Sequence, residues 1–484
     1  MSNLPRVTRE ELEQLDKAAL IDMMLLFQAQ LDKLSQRVRQ LEDQVAKDSR
    51  NSSKPSGSEG LAKPKTQSLR RSEGRKPGGQ EGHEGHTLRM VEKPDHTQVH
   101  RLTNCPHCEN DLSQVTASGC ESRQVFDIPP VQIEVTEHQA EIKECPACGK
   151  EARATFPAGV TQPVQYGPRL QVQASYLNNY HFIPIARTCE LFDDFYGHAP
   201  AYAFVGAANQ SVETSIEPAL TEIRKQLIQA DVAHFDETGM RVAGQTQWVH
   251  AAATDSLTYY DIHQKRGQTA MTEIGILPNF HGRAVHDHWK PYQSFTECEH
   301  SFCNAHHLRE LQFVTEQYAQ AWATELAQLL LDGKAEVANA DPEATSLSPE
   351  RLAFYDERYQ TILKQGFEAN PPPEPPPTKQ RGRPKQSPPK NLLDRLDKHQ
   401  SSVLTFLSDF RVPFDNNLVE RDVRMVKVKQ KVSGAFRTQS GASSFCAIRS
   451  YISTVRKQGG NVILALQSAL DGQPFIPSAP PFPA

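Results

Sequence analysis

The chain is short of large apolar residues and has no long run of them. Hydrophobic residues make up 38% of its 484 positions, below the share a compact globular protein usually carries. Part of the length is therefore expected to lie outside any core. At roughly 150 residues per domain the length predicts about three structural units. No stretch reaches the roughly 18 apolar residues of a membrane span. The richest, Ala18–Phe27, is broken by Asp22, so no membrane partner is expected. No basic stretch leading into an apolar run opens the chain, and a secretory signal is not expected either. Cysteine is sparse, nine in all, which excludes a disulfide scaffold. Positive charge is not in excess. The formal net charge is −5, and taken alone that average speaks against a nucleic-acid partner.

Glycine is missing from Val7 to Ser56, as an uninterrupted helix requires. Within that span Leu20, Met24, Phe27, Leu31, Leu34, Val38, Leu41 and Val45 are spaced alternately by four and three. This is the a/d seam of a heptad repeat. Packing on the protein's own core would give a similar stripe. The seam runs into a linker and not into a second helix, which favours an intermolecular coiled coil over 1–50 and a homo-oligomer. Residues 51–99 follow as a Ser-, Gly-, Lys- and Arg-rich linker with too little apolar surface to offset ordering. Between Leu61 and Gln80, Lys63, Lys65, Arg70, Arg71, Arg75 and Lys76 face only Glu73. That composition suits a solvated linker or a phosphate backbone, with DNA contact slightly favoured.

Residues 100–155 carry two short cysteine pairs, Cys105-Pro-His-Cys108 and Cys145-Pro-Ala-Cys148. Two thiolates two residues apart can bite one tetrahedral Zn²⁺, and a second pair completes a closed four-sulfur shell. A structural zinc ribbon is predicted, with the segments 122–126 and 131–142 as a hairpin bringing the pairs together. The other five cysteines read as small buried hydrophobes. Helical patterning occupies 156–230. Short strands are predicted at 232–236, 246–253, 257–262, 282–287 and 299–303, within 231–311. A helical insertion covers 312–410 and includes the Pro-rich stretch Pro371–Pro389, with Arg381-Gly-Arg-Pro-Lys385 inside it. Helices resume over 411–472. A disordered tail is expected at 473–484.

The strand region holds two carboxylates in suggestive places. Asp236 closes one apolar run and Asp287 another. On neighbouring strands they could share a hard cation, Mg²⁺ or Mn²⁺. Either one alone reads more simply as a turn or cap. Glu237 follows Asp236 directly, and strand alternation should turn it to the opposite face. Pro413 and Asp415-Asn416 signal a helix start. Glu420 then lies off the apolar stripe of Leu418, Val419, Val423 and Val426, while Arg421, Arg424, Lys427 and Lys431 share a face. From Arg421 to Lys457, Lys429 among them, nine basic residues meet one acid. That imbalance suits a polyanion better than simple solvation. Three such carboxylates are the ingredients of a two-metal phosphoryl-transfer site.

At this point the residues resemble a known family. Asn51-Ser-Ser-Lys-Pro-Ser56, Arg75-Lys-Pro-Gly-Gly-Gln80, the paired C-P-x-C knuckles and His234-Phe-Asp-Glu-Thr238 are four of its marks. Cys303-Asn-Ala-His-His-Leu-Arg-Glu-Leu311, Asp415-Asn-Asn-x-x-Glu-Arg421 and Lys427-Val-Lys-Gln-Lys431 complete the set. From the N-terminal helix to about Leu470 the chain is similar to bacterial transposases of the insertion sequence 66 family. The resemblance implies a multidomain α/β protein. Its ribonuclease H-like mixed sheet would carry a helical insertion, preceded by the coiled-coil helix and the zinc ribbon. It implies an Asp-Asp-Glu triad at Asp236, Asp287 and Glu420 holding two Mg²⁺ or Mn²⁺ ions. It further implies terminal inverted repeats and target DNA as partners, room for accessory transposition proteins, and a cytoplasmic, nucleoid-associated location. The alternatives are a non-catalytic zinc-containing DNA-binding or regulatory protein, and a nuclease that cuts without joining. His306 and His307 beside Cys303 read as a packed strand-to-helix junction, with a second metal site as the other choice.

Overall fold

The computed structural model describes residues 16–46, 87–372 and 386–478. Arg70, Arg71, Arg75 and Lys76, the Arg381–Lys385 segment and the end of the tail lie outside the described residues. Contacts divide the chain into two compact units, one of them Lys63–Gly159 with Asp193–His198, the other holding the rest.

Helix α1, Lys17–Ala46, spans the predicted heptads. Met24, Phe27, Leu31, Leu34, Val38 and Leu41 are exposed along it. In the smaller unit the strands are β1, Ile142–Glu144, and β2, Glu151–Arg153, paired antiparallel around the second cysteine pair. The hairpin expected from 122–126 and 131–142 does not form; those residues carry no regular structure except Ile142. Most of their large apolar side chains, Val125, Val131 and Val135 among them, stay exposed. With no face to bury, alternation alone does not make a strand.

Four helices follow, in the larger unit except for the last four residues of the second: α2, Pro168–Asn179, α3, Ile185–Tyr196, α4, Tyr202–Ser215, and α5, Glu217–Ile228. Strands β3, Val232–Val242, and β4, Gln245–Ala253, form a hairpin. Its two-residue turn, Ala243-Gly244, has both residues at positive φ (48° and 78°), the geometry whose twist matches the strands. β5, Thr258–His263, extends this antiparallel half. Helix α6, Gln268–Ile274, leads to β6, Arg283–His286, and β7, Glu299–Phe302, both parallel to β3. The order is β5-β4-β3-β6-β7, a mixed sheet. Gly282 is required where β6 opens, because a Cβ there would collide with the Ala230 and Asp231 carbonyl oxygens.

The β3 strand runs further than the five residues expected. Asp236 is mid-strand, because β4 continues to pair with β3 after β6 has ended. The two faces of the sheet bury different sets. Ala233, Phe235 and Ala252 pack with Leu220, Ile223, Tyr451 and Ile452. Met240, Val249 and Ala251 pack with Val419, Val423 and Val426. Each buried Val, Leu, Ile, Phe or Met among them is worth about 1.5–3 kcal/mol on full burial.

Between β7 and the last helices lies an insertion: α7, Asn304–Tyr318, α8, Ala321–Ala338, α9, Pro349–Ala369, α10, Pro388–Lys398, and α11, Gln400–Ser408. It has its own core, in which Leu311, Leu326, Tyr359, Leu363, Leu393 and Phe406 meet. The chain then returns to the sheet as α12, Asn417–Ser433, α13, Gln439–Lys457, and α14, Val462–Leu470. The tail is not free from its first residue. Phe475 donates its amide to the Tyr451 hydroxyl at 2.8 Å, and the Pro477 carbonyl accepts from Gln226 at 2.9 Å. Phe475 is apolar and Pro477 is buried, so this stretch docks where composition alone reads as tail. No helix of the described residues is long and apolar enough to cross a membrane.

Candidate functional site

Parallel pairing of β3 with β6 sets Val232 opposite Arg283 and His234 opposite Val285. Two residues further along, that register aligns Asp236 with Asp287, which directly follows β6. Glu420 comes from the first turn of α12. The start of α12 is fastened to the sheet by Asn416. Its Oδ1 is 2.7 Å from His234 Nδ1, and its Nδ2 donates to the Phe235 carbonyl at 3.0 Å. Its backbone amide donates to Cys303 Sγ at 3.1 Å. The predicted helix start is in place, but the Asn416 side chain does not cap the helix; it is used on β3.

Burial raises all three carboxyls above the usual carboxylate range. Burial pushes Asp236 well up, and Glu237, Asp287 and Glu420 add to it. Burial, with Glu237 next, raises Asp287 to about 7. Glu420 is raised by burial, with Arg309 opposing. Few local donors offset this. Asp236 Oδ1 accepts from the Glu237 amide at 2.8 Å and Asp287 Oδ1 from the Trp289 amide at 3.0 Å. Asp236 feels the charge of both Asp287 and Glu420, as members of a hard-cation site would, although the three carboxylates do not converge within 4.8 Å of one another.

Glu237 is different. Arg266 Nε and Nη2 donate to its Oε1 at 2.9 and 2.7 Å, and the Tyr292 hydroxyl donates to Oε2. Arg266 in turn lies 3.9 Å over the Trp289 ring. Only 4% exposed, Glu237 belongs to the face of Phe235, as alternation requires.

Cys303, His306 and Glu420 form a set whose ligating atoms all lie within 4.8 Å of one another. The sequence favours a packed strand-to-helix junction at Cys303 and His306 over a metal site, and does not connect either residue to Glu420. The spacing Cys303-x-x-His306, one helical turn, was the available signal. Histidines also gather behind Asp287. His286 Nε2 lies 2.9 Å from His300 Nδ1, and His288 Nδ1 lies 3.3 Å from His307 Nε2. Burial pushes His286 and His307 down to about 3, so they are neutral packing groups.

The basic tract is divided by the fold. Arg421, Arg424 and Lys431 are exposed on α12. Lys427 is half-buried and donates to the Gly239 carbonyl. Lys429 points inward, 7% exposed, with its ammonium 4.1 Å over the Phe436 ring, and burial lowers it to about 8. Arg449 is buried over Tyr180 and Phe182, and Lys457 pairs with Asp422 at 2.9 Å. Part of the imbalance read as polyanion binding is thus consumed in packing.

In the smaller unit the two cysteine pairs are built alike. The Cys105 amide donates to the Asn110 carbonyl, and the Glu109 amide returns to Cys105; Cys145, Lys150 and Gly149 repeat this. Glu109 and Gly149 both sit at positive φ, 60° and 66°. Backbone amides of His107 and Cys108 hold the Cys105 thiol below its usual range, and those of Ala147 and Cys148 do the same for Cys145. Each turn sets two sulfurs two residues apart with amides aimed at the first, a donor set that fits Zn²⁺. Each pair is formed by itself; donor atoms of the two do not converge within 4.8 Å.

Residues 103–149 match the zinc-finger binding domain of transposase IS66. Residues 3–89 match a family of unknown function, DUF6444. No curated protein matches the chain. Residues 163–444 match the model described as Transposase IS66 family. That span is more than half of the chain and contains the whole sheet, the helical insertion and α12. Asp236, Asp287 and Glu420 fall within this one match, and the chain belongs to the IS66 transposase family.

Proposed function

We propose that Asp236, Asp287 and Glu420 are the catalytic triad of a ribonuclease H-like core that cuts the ends of a mobile element and joins them to target DNA. The observation that carries this is the parallel β3–β6 register, which carried two residues further sets Asp236 opposite Asp287 just past the end of β6, with Glu420 fastened nearby through Asn416. The sheet order, three antiparallel strands followed by two parallel ones, supports the fold assignment.

Two divalent cations, Mg²⁺ or Mn²⁺, would supply activation of the attacking oxygen and neutralisation of the leaving one. The chain's own part is to hold and position. Asp236 and Asp287 keep their carboxyls fixed through backbone amides, and α12 sets Glu420 against them. Arg421, Arg424 and Lys431 bind the phosphate backbone. In the first step water attacks phosphorus and the P–O3′ bond breaks, leaving a 3′-hydroxyl at the element end and a 5′-phosphate. In the second step that hydroxyl attacks a target phosphate and displaces a target 3′-oxygen. The zinc module and the basic linker contribute to recognition of the terminal repeats. The exposed seam of α1 pairs protomers, so that two ends are held together.

Asp236→Asn tests this. Cleavage of a terminal-repeat duplex in Mg²⁺ is expected to vanish while duplex binding persists. Undiminished cleavage removes Asp236 from the site.

A further inference from the structure

The cluster of Cys303, His306 and Glu420 has no role in the transfer chemistry beyond Glu420 itself, and it has the chemistry of a metal site. Cys303 is the N-cap of α7 and His306 lies one turn into it, so both side chains reach the same side. Cys303 Sγ is 4.0 Å from Glu420 Oε1, and His306 Nδ1 is 3.7 Å from the same oxygen. Around tetrahedral Zn²⁺ such donors sit about 3.5 Å apart, so small rotamer changes close the set.

Two further observations point to a ligand. His306 Nδ1 is a buried atom with no hydrogen-bond partner. In a merely packed junction that is a cost of about 1–3 kcal/mol. Cys303 Sγ accepts the Asn416 amide at 3.1 Å, the kind of outer contact that orients a metal-bound thiolate.

We propose that Cys303 Sγ, His306 Nδ1 and a Glu420 carboxylate oxygen bind one zinc-class ion, separately from the cysteine knuckles. A sulfur, an imidazole nitrogen and one carboxylate select such an ion over Mg²⁺. Binding replaces the Cys303 thiol proton, which leaves to solvent, and the neutral imidazole coordinates through its lone pair. Three protein ligands leave a fourth position open. The side chains of His306 and Glu420 are 24% and 29% exposed, so solvent reaches the set. One consequence rests on the catalytic reading above. Glu420 cannot serve this ion and the triad equally, so zinc-class ions compete with Mg²⁺-dependent cleavage.

The test is Co²⁺ titration of the full chain, followed by the sulfur-to-cobalt charge-transfer band and by metal content after desalting. The parent chain is expected to keep about two sulfur-bound equivalents after desalting, one in the knuckles and one here, since ions held by the carboxylates alone give no sulfur-to-cobalt band. His306→Ala and Cys303→Ser are expected to take about one, with the knuckle spectrum retained. Glu420→Gln, at a half-buried side chain, should keep its circular dichroism and weaken the second equivalent at least about tenfold. A single equivalent in the parent, or isotherms unchanged in both His306→Ala and Glu420→Gln, overturns the proposal. Cobalt uptake is read without cleavage. An inactive chain that still loses one equivalent in His306→Ala therefore sinks only the catalytic reading.

Discussion

Asn416 Oδ1 lies 2.7 Å from His234 Nδ1, and the same carboxamide donates to the Phe235 carbonyl at 3.0 Å. Donation through Nδ2 leaves Oδ1 as the acceptor, so His234 carries its proton on Nδ1. Burial keeps that imidazole below its usual pKa, and it is neutral. One buried amide therefore joins β3, two residues before Asp236, to α12, four residues before Glu420.

Asn416→Ala should break that joint. It leaves a buried N–H and a buried carbonyl without partners, a loss of about 3 kcal/mol. The denaturant midpoint is expected to fall, and Mg²⁺-dependent cleavage to fall by more than the unfolded fraction explains. Cleavage that only tracks the folded fraction would show that the clamp is structural alone.

Glu237→Gln separates the neighbour from the triad. It leaves the Arg266 guanidinium, 2.7 Å away and mostly buried, without its counter-charge. A broken buried pair costs about 3–5 kcal/mol. A large drop in melting temperature is expected, with divalent-cation affinity of the folded protein kept. Loss of cation affinity in a folded Glu237→Gln would make Glu237 a ligand.

Asp287 fixes a pH dependence. Its carboxyl is raised to about 7 in the folded chain, against about 3.9 unfolded. The folded state therefore binds the proton more tightly. Stability without divalent cations is expected to fall as pH rises from about 4 to about 7, by about 3 kcal/mol. Asp287→Asn should flatten that slope in urea titrations run in chelator. Saturating Mg²⁺ favours the ionised form and should reverse the sign. An identical slope in the variant would remove Asp287 as its source.

Exposure divides the basic residues of α12. Arg421→Glu and Arg424→Glu should each weaken duplex binding about tenfold and reduce the salt slope by about one. Lys429→Met, inward over Phe436, should leave both unchanged. Salt-titrated anisotropy with duplex DNA distinguishes them, and equal losses in all three would refute the division.

Much of the organisation is legible in the sequence. Local pattern suffices for α1, for the strands from Val232 to Phe302 and for the start signal at Asp415-Asn416, because alternation, heptad spacing and turn chemistry act over a few residues. The cysteine pairs are legible for the same reason: a C-P-x-C turn builds its own amide-to-sulfur geometry. The segment 122–142 shows where such pattern fails. Its alternation has no partner face to bury, so no hairpin results.

By itself the sequence singled out the residues proposed for the chemistry: Asp236, Asp287, Glu420 and the four knuckle cysteines. It also determined the order of the elements that carry them. Only the tertiary structure decided which of those residues meet. It set Glu420 beside Cys303 and His306, more than a hundred residues away in the chain. It spent Asn416 on His234, turned Glu237 to Arg266, and drew Lys429 and Arg449 out of the basic surface. The physical reason is that burial and pairing between distant segments depend on the packed faces of the sheet and helices. A charge count or a local period sees the side chain but not the neighbour that neutralises, orients or buries it.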